Sequence, residues 1–399
     1  MILDLLLRFW RIEMKFYSIL LIFALSYSYS LASPLIKDDL PLAKPCDQKK
    51  CELPDCRCSS SEIPGGLSRD KTPQFVFLTF DDAIRSDNYQ LYVDAFYGRK
   101  KNPDGCNVSA TLFVSHDYTI YPKLHDLYEN GFEVALHSIT HDPNTTKWQQ
   151  ASVAELTDEF DGQRQIINKF AKIPNSDIHG MRVPFLQLSG NNSFEVIKQM
   201  GLEYDCSWPS RSYVDPGLWP YTLDYKSHQD CPIGPCPTAS LPGVWVVPML
   251  DLFDQKKVPC AMVDQCTNIP SDAANITEWI IQNFNTNYKN NKAPFGFYVH
   301  ATWLSIKKEH NEAYKKFIDY LQSLPDVYIV GIHRALEWVK NPVPIGSPDW
   351  PACPTVTKSA CEDIFCTYTR EDESEILMHI CADAGCPDKF PTPGNPLGN

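Results

Sequence analysis

The sequence predicts an α/β fold: a distorted β/α barrel with disulfide-rich N- and C-terminal extensions packed on it. Three observations predict it. Short apolar runs alternate with amphipathic stretches across residues 71–340. Several of those runs end in Asp or His. Prolines and cysteines crowd both flanks, and the cysteine total of 15 is odd.

The chain begins with a segment of a different kind. Residues 16–32 carry no charge, follow Lys15, and end in Ser30-Leu31-Ala32. A basic start, an apolar centre and a small-residue exit predict a secretory signal over 14–32, with 1–13 an upstream extension. A membrane anchor is the alternative, but the strongly apolar centre, 16–25, is short for a span. Export brings an oxidising compartment, in which paired cysteines are the default. It also gives meaning to four sequons, at Asn107, Asn144, Asn191 and Asn275.

Residues 33–70 hold Cys46, Cys51, Cys56 and Cys58 without helical or strand periodicity, which predicts a stapled extension. A metal knuckle is the alternative, and its spacing fits zinc patterns poorly. Then come FVFLTF (75–80), ATLFV (110–114), EVALH (133–137), VWVVP (244–248), FGFYVH (295–300) and VYIVGI (327–332). Helical spacing falls between them, near 88–97, 121–130, 148–171, 193–200, 273–289, 307–323 and 333–340. Apolar strands alternating with helices predict a parallel sheet covered by helices. Six such strands predict a barrel, with an open doubly wound sheet as the alternative. No Gly-x-Gly-x-x-Gly follows the first strand to mark a dinucleotide site. Residues 209–243 show little periodicity but hold Tyr213, Trp219, Tyr221 and Tyr225, as a substrate-groove loop or as packing. Residues 251–271, with Cys260 and Cys266, predict a second rim loop. Residues 341–399 return to proline and cysteine, a tail too short to bury its own core.

Composition excludes other classes. Eighteen glycines cannot supply a collagen repeat. At 43% hydrophobic and 12% aromatic residues the chain is globular rather than disordered. A net charge of −13, with Arg99-Lys100-Lys101 as the longest basic run, argues against nucleic acid as a partner. No later segment is long and apolar enough to span a membrane, and a monomer is expected.

In β/α barrels chemistry gathers at the C-terminal ends of the strands. Asp81 and Asp82 follow the first run, His137 ends the third with His141 four residues on, and His300 ends the fifth. Two imidazoles and one carboxylate, from His137, His141 and Asp82, make a metal face with positions left for water and substrate. Zinc accepts such nitrogen and oxygen donors. His-Ser-Ile-Thr-His lacks the glutamate of His-Glu-x-x-His peptidases. Taken singly, each signal has a plainer reading: a satisfied core histidine pair, or an Asp-Asp helix cap.

Together they carry a resemblance. Thr79-Phe80-Asp81-Asp82-Ala83, His137-Ser-Ile-Thr-His141, Arg182-Val-Pro-Phe185, Asp205-Cys-Ser-Trp208 and Tyr298-Val-His300 resemble, in order, the five motifs of the carbohydrate esterase family four polysaccharide deacetylases. The chain is most similar to the secreted arthropod chitin deacetylases of the catalytic-domain-only type. The resemblance covers residues 71–340. Its departures are Val183, Cys206 and Tyr298, which touch the shape of the acetyl pocket and no catalytic residue.

The resemblance implies that Asp82, His137 and His141 hold Zn2+ or another divalent metal. It makes Asp81 the general base and His300 the acid. Arg182 would orient Asp81, and Asp205 would orient His300. The Phe185 N–H would bind the oxyanion, while Trp208 and Tyr298 would shape the pocket. The implied reaction is removal of N-acetyl groups from chitin or its oligomers outside the cell, with the gut peritrophic matrix as one setting. The other readings are a matrix-organising chitin binder with little turnover and a deacetylase of another polysaccharide. Cys206 lies inside a motif and away from the terminal clusters, so it is the expected free, buried thiol, leaving 14 cysteines for bridges.

Overall fold

Runs that are apolar at every position, rather than at alternate ones, belong to strands covered on both faces. In the computed structural model, which describes residues 40–356, 358–370 and 373–399, β1 (Gln74–Asp81) is such a strand, buried along all eight residues. The predicted signal segment lies outside the described residues. Residues 42–399 pack as one unit.

Seven further strands join β1 in the core of the sheet: β2 (Thr111–Val114), β3 (Glu133–Leu136), β4 (Gly180–Met181), β5 (Tyr204–Asp205), β6 (Tyr221–Leu223), β7 (Leu241–Val246) and β8 (Phe295–His300). They lie in the order β8-β1-β2-β3-β4-β5-β7-β6, and β9 (Val327–Ile329) also pairs with β1. Every pairing is parallel except β6 against β7. The hydrogen-bonded path has two ends, at β8 and β6. Near one of them a side chain bridges where no ladder does: the Tyr298 hydroxyl on β8 donates to the Pro248 carbonyl, 3.3 Å away, just after β7. The fold is therefore α/β with a mostly parallel sheet, and this bond links β8 to the segment after β7.

Nine helices connect the strands among the described residues: α1 (Ser86–Phe96), α2 (Tyr121–Glu129), α3 (Thr145–Gln150), α4 (Val153–Phe170), α5 (Asn192–Met200), α6 (Ala273–Tyr288), α7 (Thr302–Ile306), α8 (Lys308–Leu321) and α9 (Ile332–Lys340). The helix expected at 148–171 is two helices. Ser152 caps the second one, its Oγ accepting from the Glu155 N–H at 3.2 Å while Glu155 accepts from the Ser152 N–H at 2.8 Å. This reciprocal box ends one helix and starts the next.

Seven disulfides use 14 cysteines. Cys46–Cys58 and Cys51–Cys56 staple the N-terminal segment. Cys231–Cys236 and Cys260–Cys266 close two loops, and Cys106–Cys353 ties the tail to the loop before β2. In the tail, β10 (Asp363–Thr369) and β11 (Glu375–Cys381) form an antiparallel hairpin held by Cys361–Cys381 and Cys366–Cys386. Cys206 is the free, buried thiol that the sequence analysis expected, and burial pushes it up to about 12. In the stretch 209–243, Trp219 and Tyr221 are fully buried, so for these two rings packing is the reading that holds.

Candidate active site

Register brings the polar strand ends together. Asp81 of β1 lies beside His300 of β8 in the parallel ladder. On the other side, β3 ends one residue before His137, and Leu136 pairs with Met181 of β4, so His137 and Arg182 emerge next to each other. Met181 in turn pairs with Asp205 of β5.

His137 Nδ1 lies 2.7 Å from the Arg182 carbonyl oxygen. A carbonyl only accepts, so Nδ1 carries the proton and the Nε2 lone pair faces the cleft. Beyond it the chain turns sharply, with Ser138 at φ +73° and His141 at φ +43°. The turn is held from beneath by Glu159 of α4, which accepts from the N–H groups of Ile139 and Thr140 at 3.1 and 2.9 Å. Asp82, at φ +81°, is turned out of the strand. These left-handed residues are backbone strain gathered at one place, which is characteristic of functional sites.

One donor atom from each of Asp82, His137 and His141 lies within 4.8 Å of the others. His141 Nε2 is 3.4 Å and His137 Nε2 3.9 Å from the same Asp82 oxygen. Two imidazole nitrogens, that of His137 with its lone pair free, and a half-exposed carboxylate suit a divalent transition metal, and one side of the set opens to the cleft. These residues form a candidate metal centre.

Asp81 stands behind this set, its second oxygen 3.8 Å from His137 Nε2. Burial alone would raise its pKa. Burial is the largest single influence, but the Arg182 charge and hydrogen bond and the His300 charge together outweigh it and hold the carboxyl below its usual range. Arg182 is fully buried and multiply held. It donates to Asp81, to Thr79 Oγ1 at 3.0 Å, and to the Cys206 carbonyl at 2.7 Å, and its plane lies 3.9 Å from the Phe113 ring centroid.

His300 Nε2 points toward Asp82, 4.0 Å away, and its Nδ1 sits 2.7 Å from Asp264. Burial would lower its pKa, but the Asp264 bond and the charge of Asp81 raise it to about 9. A cleft of about 300 Å³ opens over this group, walled by Asp81, Asp82, His141 and His300 on one side and by Asp117 and Tyr118 on the other.

Three assignments need correction. Asp205 does not hold His300. Its carboxylate accepts from the Ser207 N–H at 2.9 Å and hydroxyl at 2.6 Å, so it shapes the turn after β5. Asp264, on the rim loop closed by Cys260–Cys266, takes the partner's place. Trp208 is buried, its indole N–H going to the Asp230 carbonyl at 2.8 Å, so it is a core residue. Tyr298 is also buried, its ring 5.1 Å from the Arg182 guanidinium, and supports Arg182 instead of lining the cleft. Phe185 stands at the candidate metal-ligating turn. At φ +58° it stands 44% exposed, its ring centroid 4.9 Å from that of His141. Sequence reasoning missed Asp264 and Glu159. Asp264 lay within a loop already marked as a rim by its two cysteines; Glu159 had no signal beyond being an acid on the inner face of a helix.

An Asp-His-His cluster at the C-terminal edge of a parallel α/β sheet, with a paired acid and a carboxylate-bonded histidine beside it, is the make-up of a candidate metal-dependent active site. The polysaccharide deacetylase family model matches residues 68–204. The chain is 44% identical to chitin deacetylase 8 of Bombyx mori over 93% of its own length and 98% of that protein. It is 36% identical to chitin deacetylase 1 of the same organism, over 91% of this chain and 70% of that one. The solved peptidoglycan deacetylase PdaC of Bacillus subtilis is a looser likeness, at 18% identity and a TM-score of 0.36 over 69% of this chain and 94% of that one. The chain belongs to the polysaccharide deacetylase family.

Proposed function

We propose that this protein is a secreted, zinc-dependent hydrolase that removes N-acetyl groups from N-acetylglucosamine units of chitin or its oligomers, and that it works as a monomer. The observation that carries the reading is the grouping of Asp81, Asp82, His141 and His300 around one cleft, with His137 clustered against Asp82 and His141. A chitin-binding protein without turnover would need neither a poised base nor a poised acid. The two silk-moth relatives support the substrate class by name.

Asp82, His137 and His141 would hold the cation. A divalent metal there would polarise the acetamide carbonyl and make water in the cleft more acidic. Asp81, charged and held in place by Arg182, takes a proton from the attacking water as its oxygen bonds to the carbonyl carbon. The Phe185 N–H is the proposed donor to the resulting oxyanion. His300 then gives its proton to the departing nitrogen as the C–N bond breaks, leaving acetate and a free amine. The buried side of the cleft is closed to bulk water by Arg182 and the strands around it.

The experiment is acetate release from chitin oligomers by zinc-loaded protein. Activity is expected to vanish with a chelator and return with added zinc. No acetate from the loaded protein would overturn the reading.

Asp264 gives a sharper expectation. Its bond raises the pKa of His300, so the acid form persists in wild type to about pH 9 and is lost as pH rises through that value. Stability follows the same sign: the charged His300–Asp264 pair contributes below the ordinary histidine range and is lost on the way up to about 9. Asp264→Asn should move the alkaline limb of kcat/KM to lower pH, with the acidic limb, set by Asp81, in place. A pH–rate profile identical to wild type would rule out the pairing.

Secretion would expose the sequons to glycosylation. Asn107, Asn144 and Asn275 are exposed. Asn191 is half-buried, its amide oxygen accepting from the N–H groups of Thr238 and Ala239 at 2.8 and 3.0 Å. Glycans are proposed at the first three.

A further inference from the structure

The cysteine-rich tail places a flat, partly apolar surface beside the cleft. The β10–β11 hairpin buries one face, through Cys366, Ile376, Met378 and Ile380. Its other face alternates outward, as a two-residue period requires. Phe365 is 63% and Leu377 50% exposed on it. Register pairs Phe365 with His379 and Thr367 with Leu377, so Phe365 and Leu377 are diagonal neighbours on one face.

This face is continuous with the cleft wall. Ile120 forms a parallel bridge with His379, adding the segment before α2 to the edge of the hairpin. Two residues earlier, Tyr118 is 59% exposed and lines the cleft with Asp117. Arg370, at the turn end of β10, pairs with Asp117 at 2.8 Å and lies 5.8 Å from the Tyr118 ring centroid. The Ile120–His379 bridge thus links the segment that carries Tyr118 to the strand that carries Leu377, and Phe365 lies across the hairpin from His379.

We propose that this strip docks the part of a polysaccharide chain that extends beyond the reacting unit; the proposal rests on the polysaccharide reading of the cleft and adds where the polymer leaves it. Three features select the occupant. The strip starts at the cleft wall. Its aromatic and aliphatic side chains fit the C–H faces of sugar rings. The charged residues on the outward face of β10 and β11 are the acids Asp363 and Glu375, and Arg370 beside Tyr118 is paired with Asp117, which suits a neutral polymer and disfavours an anionic surface.

The test uses the zinc-loaded full chain with Phe365→Ser and Leu377→Ser combined, changes on an exposed face that leave the buried face intact. Two readouts are taken: equilibrium binding to insoluble chitin beads, and the ratio of kcat/KM on a long chitin oligomer to that on the dimer. Both are expected to fall about tenfold, equivalent to one or two lost side-chain contacts. Phe365→Trp, which keeps an aromatic face, should retain both. Wild-type values for the double variant in both readouts would overturn the proposal. So would a wild-type dimer in sedimentation that the double variant dissociates, since the face would then belong to a second copy. Bead binding decides the strip even if no acetate is released, so failure of the deacetylase reading is distinguishable from failure of the strip.

Discussion

Asp81→Asn is expected to lower kcat by about 10²- to 10⁴-fold, the usual range for removal of a positioned general base. KM should stay within a few-fold of wild type, since Asp81 lies behind the metal face and its side chain is buried. The amide keeps the shape of the carboxylate but cannot take a proton from water. Its charge also disappears, so the raised pKa of His300 loses one of its supports. Zinc content should be unchanged, because Asp82, His137 and His141 remain. That separates loss of the base from loss of the metal. Metal analysis and steady-state kinetics on one preparation check both, and a variant with kcat near wild type would remove Asp81 from the role.

Arg182→Leu is expected to destabilise the fold by about 3–5 kcal/mol, the cost of leaving one member of a buried ion pair alone. Asp81 would keep its burial and lose its counter-charge, so its pKa should rise. The sign of the pH dependence follows. In wild type the Asp81 carboxyl is held below its usual range, so the pair stabilises at pH above that range and fades as pH falls through the lowered value. In Arg182→Leu that acid-side dependence should flatten. Arg182→Lys should recover only part of the loss, because an ammonium cannot reach Asp81, Thr79 and the Cys206 carbonyl at once. Urea unfolding at neutral and acidic pH measures all three forms. Equal stability of Arg182→Leu and wild type would mean that the pair does not hold Asp81.

Much of the site was legible because strand ends are legible. A buried strand is a continuous apolar run, so its last residue is visible, and Asp81, His137 and His300 each stand at such an end. What failed depended on contacts across the chain. The acid that holds His300 is 36 residues before it, on a disulfide-closed loop, and no local pattern chooses Asp264 over Asp205. Trp208 and Tyr298 carry polar tips that satisfied themselves inside the core, which sequence alone does not separate from a pocket wall. In the fold, β4 and β5 are two residues each, too short to show a period. The hairpin of the tail is hard to see for a different reason: Phe365 and Leu377 stand on its exposed face, so apolar and polar residues do not alternate cleanly along β10 and β11.

The most direct measurement is mass spectrometry of a defined chitin oligomer after incubation with the zinc-loaded protein. The account predicts products lighter by whole acetyl groups, with chain length unchanged and acetate formed in equal number, and no such products with Asp81→Asn. An oligomer of unchanged mass, or one shortened by cleavage between its sugar units, would contradict it.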